Sequence, residues 1–349
     1  MPLDEALPGT SVDAEGITFA LPDPEHVAET VSLWSHVGLS SEEFEQVDGG
    51  WELRLADLPV ECLEYLYEVD GERTTDPTNP VTVDGAFGHH SFLTLPGYAP
   101  PAWLGWPQVP SEQAGVLIED TPVGDIEVTV WAPADADGDD ALPILFAHDG
   151  PEMAKYGMLL DFAGAMIAAG ELPPMRIALL EPGARNERYA ANPAYAESLT
   201  RHVVPEILAA CPTAGRPLLA GQSLGAVAAL HAAWTSPETF SGLLLQSGSF
   251  FTEDLDPQEK RFEFWDEVTG FVSIVHAAEK AAPGAPYVAI TCGSAEENYA
   301  NNCLMADQLR RVGLDVDWGE RPQGHTWTCW RDLLDPHLTD LVRRAGAQA

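Results

Sequence analysis

Residues 217–230 read Pro217-Leu218-Leu219-Ala220-Gly221-Gln222-Ser223-Leu224-Gly225-Ala226-Val227-Ala228-Ala229-Leu230. An apolar, strand-like run is followed by a glycine-flanked serine and then by an alanine-rich helical pattern. A strand that turns this sharply into a helix holds its middle residue in a strained backbone conformation. Glycines two before and two after make room for the turn, and the hydroxyl is left above a helix N-terminus. The pattern predicts a nucleophile elbow with Ser223 as the nucleophile; the competing reading is a tight structural turn with no chemistry.

Outward from the elbow, the pattern is one of apolar runs separated by helical stretches. Runs lie at Leu142–Ala147, Arg176–Leu180, Gly242–Gln246 and Tyr287–Thr291, with helical stretches at Ala154–Ala169 and Tyr195–Ala210. Continuous apolar strands alternating with helices predict a mostly parallel sheet covered on both faces, an α/β fold. From Ile17 to about Tyr98 the pattern is different. Short alternating runs such as Trp51-Glu52-Leu53-Arg54-Leu55 are punctuated by Pro, Gly and Asp, which predicts a small all-β sandwich. The expected organisation is a β-sandwich domain over 1–99, a linker over 100–113 and the α/β domain over 114–349. Trp34, Trp51, Tyr65 and Tyr67 fall mostly on core-facing positions of the sandwich, which favours packing over sugar binding.

The chain has 349 residues, 45% hydrophobic, with 55 acidic against 17 basic side chains and a formal net charge of -38. Nucleic acid and anionic membrane are excluded as partners on charge alone. No window is long and apolar enough to span a membrane, and Met1-Pro2-Leu3-Asp4-Glu5 lacks the regions of a signal peptide, so a cytoplasmic protein is expected. Five scattered cysteines, Cys62, Cys211, Cys292, Cys303 and Cys329, form no Cys-x-x-Cys pair, and neither a disulfide framework nor a metal site is expected.

A serine nucleophile needs a base, and the base needs an acid to orient it. His325 lies past the last strand-like run in Pro322-Gln323-Gly324-His325-Thr326-Trp327 and is the best base. His36, His89 and His90, among other histidines in loops or helices, have no motif around them. The preceding run ends in Cys292-Gly293-Ser294-Ala295-Glu296-Glu297-Asn298, which offers Glu296 as the acid and Glu297 as the alternative. Asp315 and Asp317 on the final strand are less suitable. An oxyanion hole needs two donors. Leu224 N–H supplies one, and the loop His148-Asp149-Gly150-Pro151 supplies the other through Gly150 or Asp149, with Gly150 letting backbone approach a substrate closely. His148 and Asp149 as a metal pair lack a third ligand.

The loop at 148–150, the elbow, Gln246-Ser247-Gly248-Ser249-Phe250, the 293–302 segment and Gly324-His325-Thr326-Trp327-Thr328-Cys329-Trp330-Arg331 together resemble the enterochelin esterase family, a branch of the esterase D-like α/β-hydrolases. Thr326 stands where the family has aspartate, and Ala226 where many members have a second glycine. Residues 65–72, Asp76-Pro77-Thr78-Asn79-Pro80 and 91–98 together resemble the immunoglobulin-like early-set domain that precedes catalytic domains in glycogen-debranching and related enzymes, and several esterases carry a similar one. The resemblance implies hydrolysis of the ester bonds of a catecholate siderophore, iron-bound or iron-free, without a cofactor. Feruloyl, acetyl or other small esters are the alternative substrates; an inactive hydrolase domain behind a glucan-binding module is the alternative of another class.

Arg185, Arg188 and Tyr189 match a family segment that lines the active site. The two arginines are expected either to hold anionic catecholates or to form surface ion pairs. Trp327 and Trp330 either stack on the substrate's aromatic groups or pack beneath the histidine loop. A ferric tris-catecholate is strongly anionic, so the net charge of the chain slows its approach unless the pocket is locally positive or the ionic strength is high.

Overall fold

The computed structural model describes residues 9–346 apart from 14, 40, 41, 57 and 87. Met1–Glu5, on which the expectation of a chain without a leader rests, lie outside the described residues. The chain divides into two compact units. The first runs to Ala99 and takes in two distant segments, Gly293–Glu297 and Pro322–Thr326; the second holds the remainder from Pro100 onward.

In the first unit the strands are β1 (Ser11–Asp13), β2 (Gly16–Pro22), β3 (Val31–Ser35), β4 (Glu45–Val47), β5 (Gly50–Leu55), β6 (Cys62–Val69), β7 (Glu72–Thr74), β8 (Thr82–Gly85) and β9 (Gly88–Thr94). They form two sheets, β1-β2-β5-β4 and β3-β6-β9-β8, with β7 paired to β6. The alternation read from the sequence is the alternation of burial: Trp51, Leu53 and Leu55 of β5 meet Leu33, Leu63, Tyr65 and Tyr67 of the other sheet in one core. Asp70 and Gly71 both adopt positive φ, 52° and 85°, as the two-residue hairpin between β6 and β7 requires.

The Asp76 motif has a plain physical role. Its buried carboxylate accepts from Tyr65 Oη at 2.7 Å, Tyr67 Oη at 2.9 Å and Thr10 Oγ1 at 2.6 Å, so two core tyrosines bury their hydroxyls without leaving them unpaired. Trp34 is only partly buried, and the Arg73 guanidinium lies 4.3 Å above its ring. His89 and His90 are on β9, not in a loop or helix.

The second unit contains β10 (Ser111–Ile118), β11 (Ile126–Pro133), β12 (Ile144–Ala147), α1 (Gly150–Lys155), α2 (Leu159–Ala168), β13 (Arg176–Leu180), α3 (Arg185–Tyr189), α4 (Pro193–Ser198), α5 (Val204–Ala210), β14 (Leu218–Gln222), α6 (Leu224–Thr235), β15 (Gly242–Gln246), α7 (Trp265–Ala277), β16 (Tyr287–Gly293), α8 (Tyr299–Arg311), β17 (Val316–Arg321), α9 (Trp327–Asp332) and α10 (His337–Gly346). The sheet order is β10-β11-β13-β12-β14-β15-β16-β17, antiparallel from β10 to β13 and parallel from β13 through β16. Successive residues of its central strands enter different cores. Phe146, Leu219 and Leu245 pack with α6 and α7, while Leu145, Leu218 and Leu244 pack with α2 and α10. Both faces are therefore covered, which is why these strands read as unbroken apolar runs.

Two boundaries differ from the sequence reading. β10 begins at Ser111, inside the stretch read as linker, and Trp103 is buried edge-on against Phe162 of α2, so this stretch packs on the second unit. The helical stretch at 195–210 is broken by a π turn at Leu199–Val203.

Candidate active site

Ser223 joins β14 to α6 with φ 53° and ψ -122°, a conformation that side-chain-bearing residues rarely take. Such strain costs roughly 1–3 kcal/mol. Val227 and Leu230 of the following helix are both essentially fully buried, and at about 1.5–3 kcal/mol each they more than offset it. A Cβ on Gly221 would lie 2.1 Å from Gly225 O, so the turn closes only over a glycine there. Ser223 N–H donates to Gln246 O at 2.9 Å, and its carbonyl accepts from Ser249 N at 3.1 Å. The Ser223 hydroxyl is 3.1 Å from Ser249 Oγ. Ser249, in the segment after β15, is not marked by the sequence as a neighbour of the nucleophile.

Leu224 opens the 12-residue helix α6, so its N–H lacks an intrahelical acceptor. In the loop after β12, Asp149 N–H donates to Tyr189 Oη at 3.1 Å, and Gly150 is the first residue of α1. The reason for a glycine at 150 differs from the expected one. A Cβ there would come within 2.6 Å of Leu179 and Leu180 of β13, so the residue is small for packing on the sheet rather than for substrate approach. His148 is completely buried; its Nδ1 donates to Ala220 O at 3.0 Å, and burial holds its pKa down at about 4. It is a neutral strut between this loop and β14. Among the described residues no group of three His, Cys, Asp or Glu is placed to hold a metal ion.

His325 and Glu296 meet within the first unit, where Glu296 Oε1 lies 3.3 Å from His325 Nδ1. The Glu296 side chain is fully buried, and its Oε2 accepts from Gly293 N–H at 3.4 Å. Glu297, one residue on, is exposed to solvent. A carboxylate on Nδ1 fixes the imidazole tautomer and leaves Nε2 as the proton acceptor. Asp317 and Asp315 are engaged elsewhere, by His337 at 2.6 Å and Arg344 at 2.7 Å. The His36 ring centroid is 6.4 Å from that of His325; burial first, then His325 itself, lower its pKa to about 4, so it sits beside His325 as a neutral group. Sequence reasoning missed His36, and no local signal marks a residue whose neighbour is nearly three hundred positions away.

Three expected substrate contacts are otherwise occupied. Arg188 is buried, and its Nη2 donates to the carbonyls of Val123 and Asp125, both at 3.1 Å. Tyr189 is completely buried under the Asp149 N–H. Trp330 is buried and donates Nε1–H to Ser247 Oγ at 2.9 Å, which makes it a packing residue. Arg185 binds Asp149 with both Nε and Nη2, at 2.7 and 2.8 Å, and thereby fixes the loop that carries Gly150. Trp327 is only partly buried, edge-on to Trp330 at 4.7 Å and 5.9 Å from Tyr156.

A strained serine between a parallel strand and a helix, on a sheet covered by helices on both faces, defines the α/β-hydrolase class. Comparison with known proteins narrows it. Residues 121–341 match the family model Esterase, described as "Putative esterase", and the chain belongs to that family. The chain is 27% identical over 279 residues to the iron(III) enterobactin esterase of Escherichia coli strain K12, and 27% identical over 200 residues to that of Dickeya dadantii. The first match covers 76% of this chain and 66% of the relative, so the chain spans just under two thirds of that relative's length. Among solved structures it is similar to the ferric enterobactin esterase of Salmonella typhimurium, with a TM-score of 0.78 at 18% identity over 97% of both chains. The enterobactin esterase of Shigella flexneri in the presence of enterobactin gives 0.76 at 19% identity, again over 97% of both. A ferulic acid esterase gives 0.57 at 18% identity and covers 68% of this chain. At these identities the structures establish the fold, an α/β-hydrolase preceded by a β domain.

Proposed function

We propose that this chain is a serine esterase that hydrolyses the ester bonds of a catecholate siderophore of the enterobactin type inside the cell, releasing its iron. The observation that carries the reading is the backbone of Ser223, whose φ of 53° and ψ of -122° hold the serine in a strained turn between β14 and α6. The relatives named above, called enterobactin esterases, support the substrate class.

In this reading Ser223 Oγ attacks the ester carbonyl while His325 Nε2 takes its proton, and Glu296 stabilises the imidazolium from the Nδ1 side. The tetrahedral oxyanion is held by the N–H groups of Leu224 and Gly150. Collapse expels the alcohol, protonated by His325, and leaves an acyl group on Ser223; water attacks it with the same histidine as base and frees the acid. Trp327 is the one of the expected aromatic contacts left to meet the substrate. Arg188 is buried against backbone carbonyls and the Arg185 charge is paired with Asp149, so a chain of net charge -38 meets an anionic ferric complex more readily at high ionic strength.

Hydrolysis of p-nitrophenyl esters by the wild type and Ser223→Ala tests the mechanism. The wild type is expected to turn over and the variant to lose at least about a thousandfold in kcat. Equal rates in the two proteins contradict the reading.

A further inference from the structure

The base and acid proposed above sit on two loops far apart in sequence, and Gln323 ties them together. Its carbonyl accepts from Ala295 N–H at 3.1 Å, one residue before Glu296, and its side chain lies two residues before His325. Gln323 is completely buried, and its Nε2 donates to Glu61 Oε1 at 2.7 Å. Glu61 precedes β6 of the sandwich, and its own N–H donates to Pro322 O at 2.8 Å. A Cβ on Gly324 would come within 2.7 Å of His36 O, and one on Gly293 within 2.3 Å of Gln323 O, so both loops lie in close backbone contact with their supports. Ala295 packs into the sandwich core.

We propose that Glu61 is a positioning residue for ester hydrolysis: through Gln323 it sets the register of the His325 loop against the Glu296 loop. This gives the N-terminal sandwich a part in the chemistry distinct from ligand binding. It rests on the reading of His325 and Glu296 as base and acid. The Glu61 carboxylate holds the side chain of Gln323, and the carbonyl of the same residue holds Ala295 N–H next to Glu296. Small displacements of a base cost large factors in rate, about a hundredfold for 1 Å.

The test uses the full chain with Glu61→Ala and Glu61→Gln. The alanine variant removes the acceptor; the glutamine variant keeps a carbonyl oxygen to accept from Gln323 while replacing the charged oxygen with an amide NH2. Glu61→Ala is expected to lower kcat about tenfold or more with KM within about twofold of wild type, and Glu61→Gln to restore most of the rate. Hydrogen exchange read by mass spectrometry is measured on the same proteins, with expected faster exchange in 322–326 for the alanine variant alone. Wild-type kcat in Glu61→Ala, a rise in KM at constant kcat, equal impairment in the glutamine variant, or unchanged exchange in 322–326 each overturns the proposal. The exchange result stands whether or not the protein hydrolyses esters. A failure of the esterase reading, seen as equal rates in wild type and Ser223→Ala, is thus separable from a failure of the brace.

Discussion

The elbow and the His325–Glu296 pair are built in opposite ways. The elbow is local: five consecutive residues, a glycine whose Cβ would strike backbone at 2.1 Å, and a buried helix that carries the strain. The pair is assembled from residues 29 positions apart, on loops that pack with a different unit from the one holding the sheet. A local device is specified by its own sequence and breaks when that sequence changes. An assembled device depends on supports far along the chain, and it can be weakened without touching any of its reacting groups.

The sharpest way to probe the assembled side is at the carboxylates. Glu296→Gln is expected to reduce kcat by about a thousandfold or more, as loss of a triad acid does, whereas exposed Glu297→Gln should leave it within about twofold. Steady-state kinetics on any turned-over ester measures both, and a larger loss in Glu297→Gln would reverse the assignment. On the local side, Gly221→Ala places a methyl against the Gly225 carbonyl and is expected to destabilise by about 3 kcal/mol or more, or to prevent folding. Gly225→Ala meets no atom nearer than His148 Cβ at 3.2 Å, followed by Asp149 Oδ2 at 3.4 Å and Tyr189 Cε2 at 3.6 Å, and should cost much less. Thermal unfolding of the two variants gives the order, and equal costs would show that the turn is not closed by Gly221.

The smallest effect is in the acid limb of stability. His148 supports the elbow side and His36 the pair, and burial depresses both from about 6.5 to about 4. An unfolded imidazole takes up a proton below about pH 6.5 that the folded one refuses until about pH 4. Stability contributed by the neutral folded form is therefore present above pH 6.5 and lost as pH falls through that window, on the order of 2 kcal/mol per histidine at pH 5. His148→Asn keeps a donor for Ala220 O, and its Tm is expected to fall less than that of the wild type between pH 7 and pH 5. An identical fall would mean that His148 does not titrate in this way.

The same contrast explains what could be read from the chain before its fold was known. The elbow, the alternation of apolar strands with helices, and the β-sandwich pattern are local periodicities, and each reports directly on which face of an element is buried. His325 and Glu296 were legible as residues after successive strands, because strand order fixes where such loops emerge. What supports them was not: His36, Glu61 and Gln323 converge by packing, which leaves no pattern in any one segment. Arg188, Tyr189 and Trp330 misled for a related reason. Their residue types suit a catecholate, but burial and hydrogen bonds to Val123, Asp149 and Ser247 had already engaged them. Gly150 shows that a residue can stand where a motif expects it and be small for another reason.

The central claim is that Ser223, served by His325 and Glu296, opens siderophore esters. Iron-loaded and iron-free catecholate trilactone, incubated with wild type and with Ser223→Ala and resolved by mass analysis, tests it most directly. The account predicts linear trimer, dimer and monomer from the wild type and intact trilactone from the variant. Intact trilactone from both, or the same products from both, would contradict it.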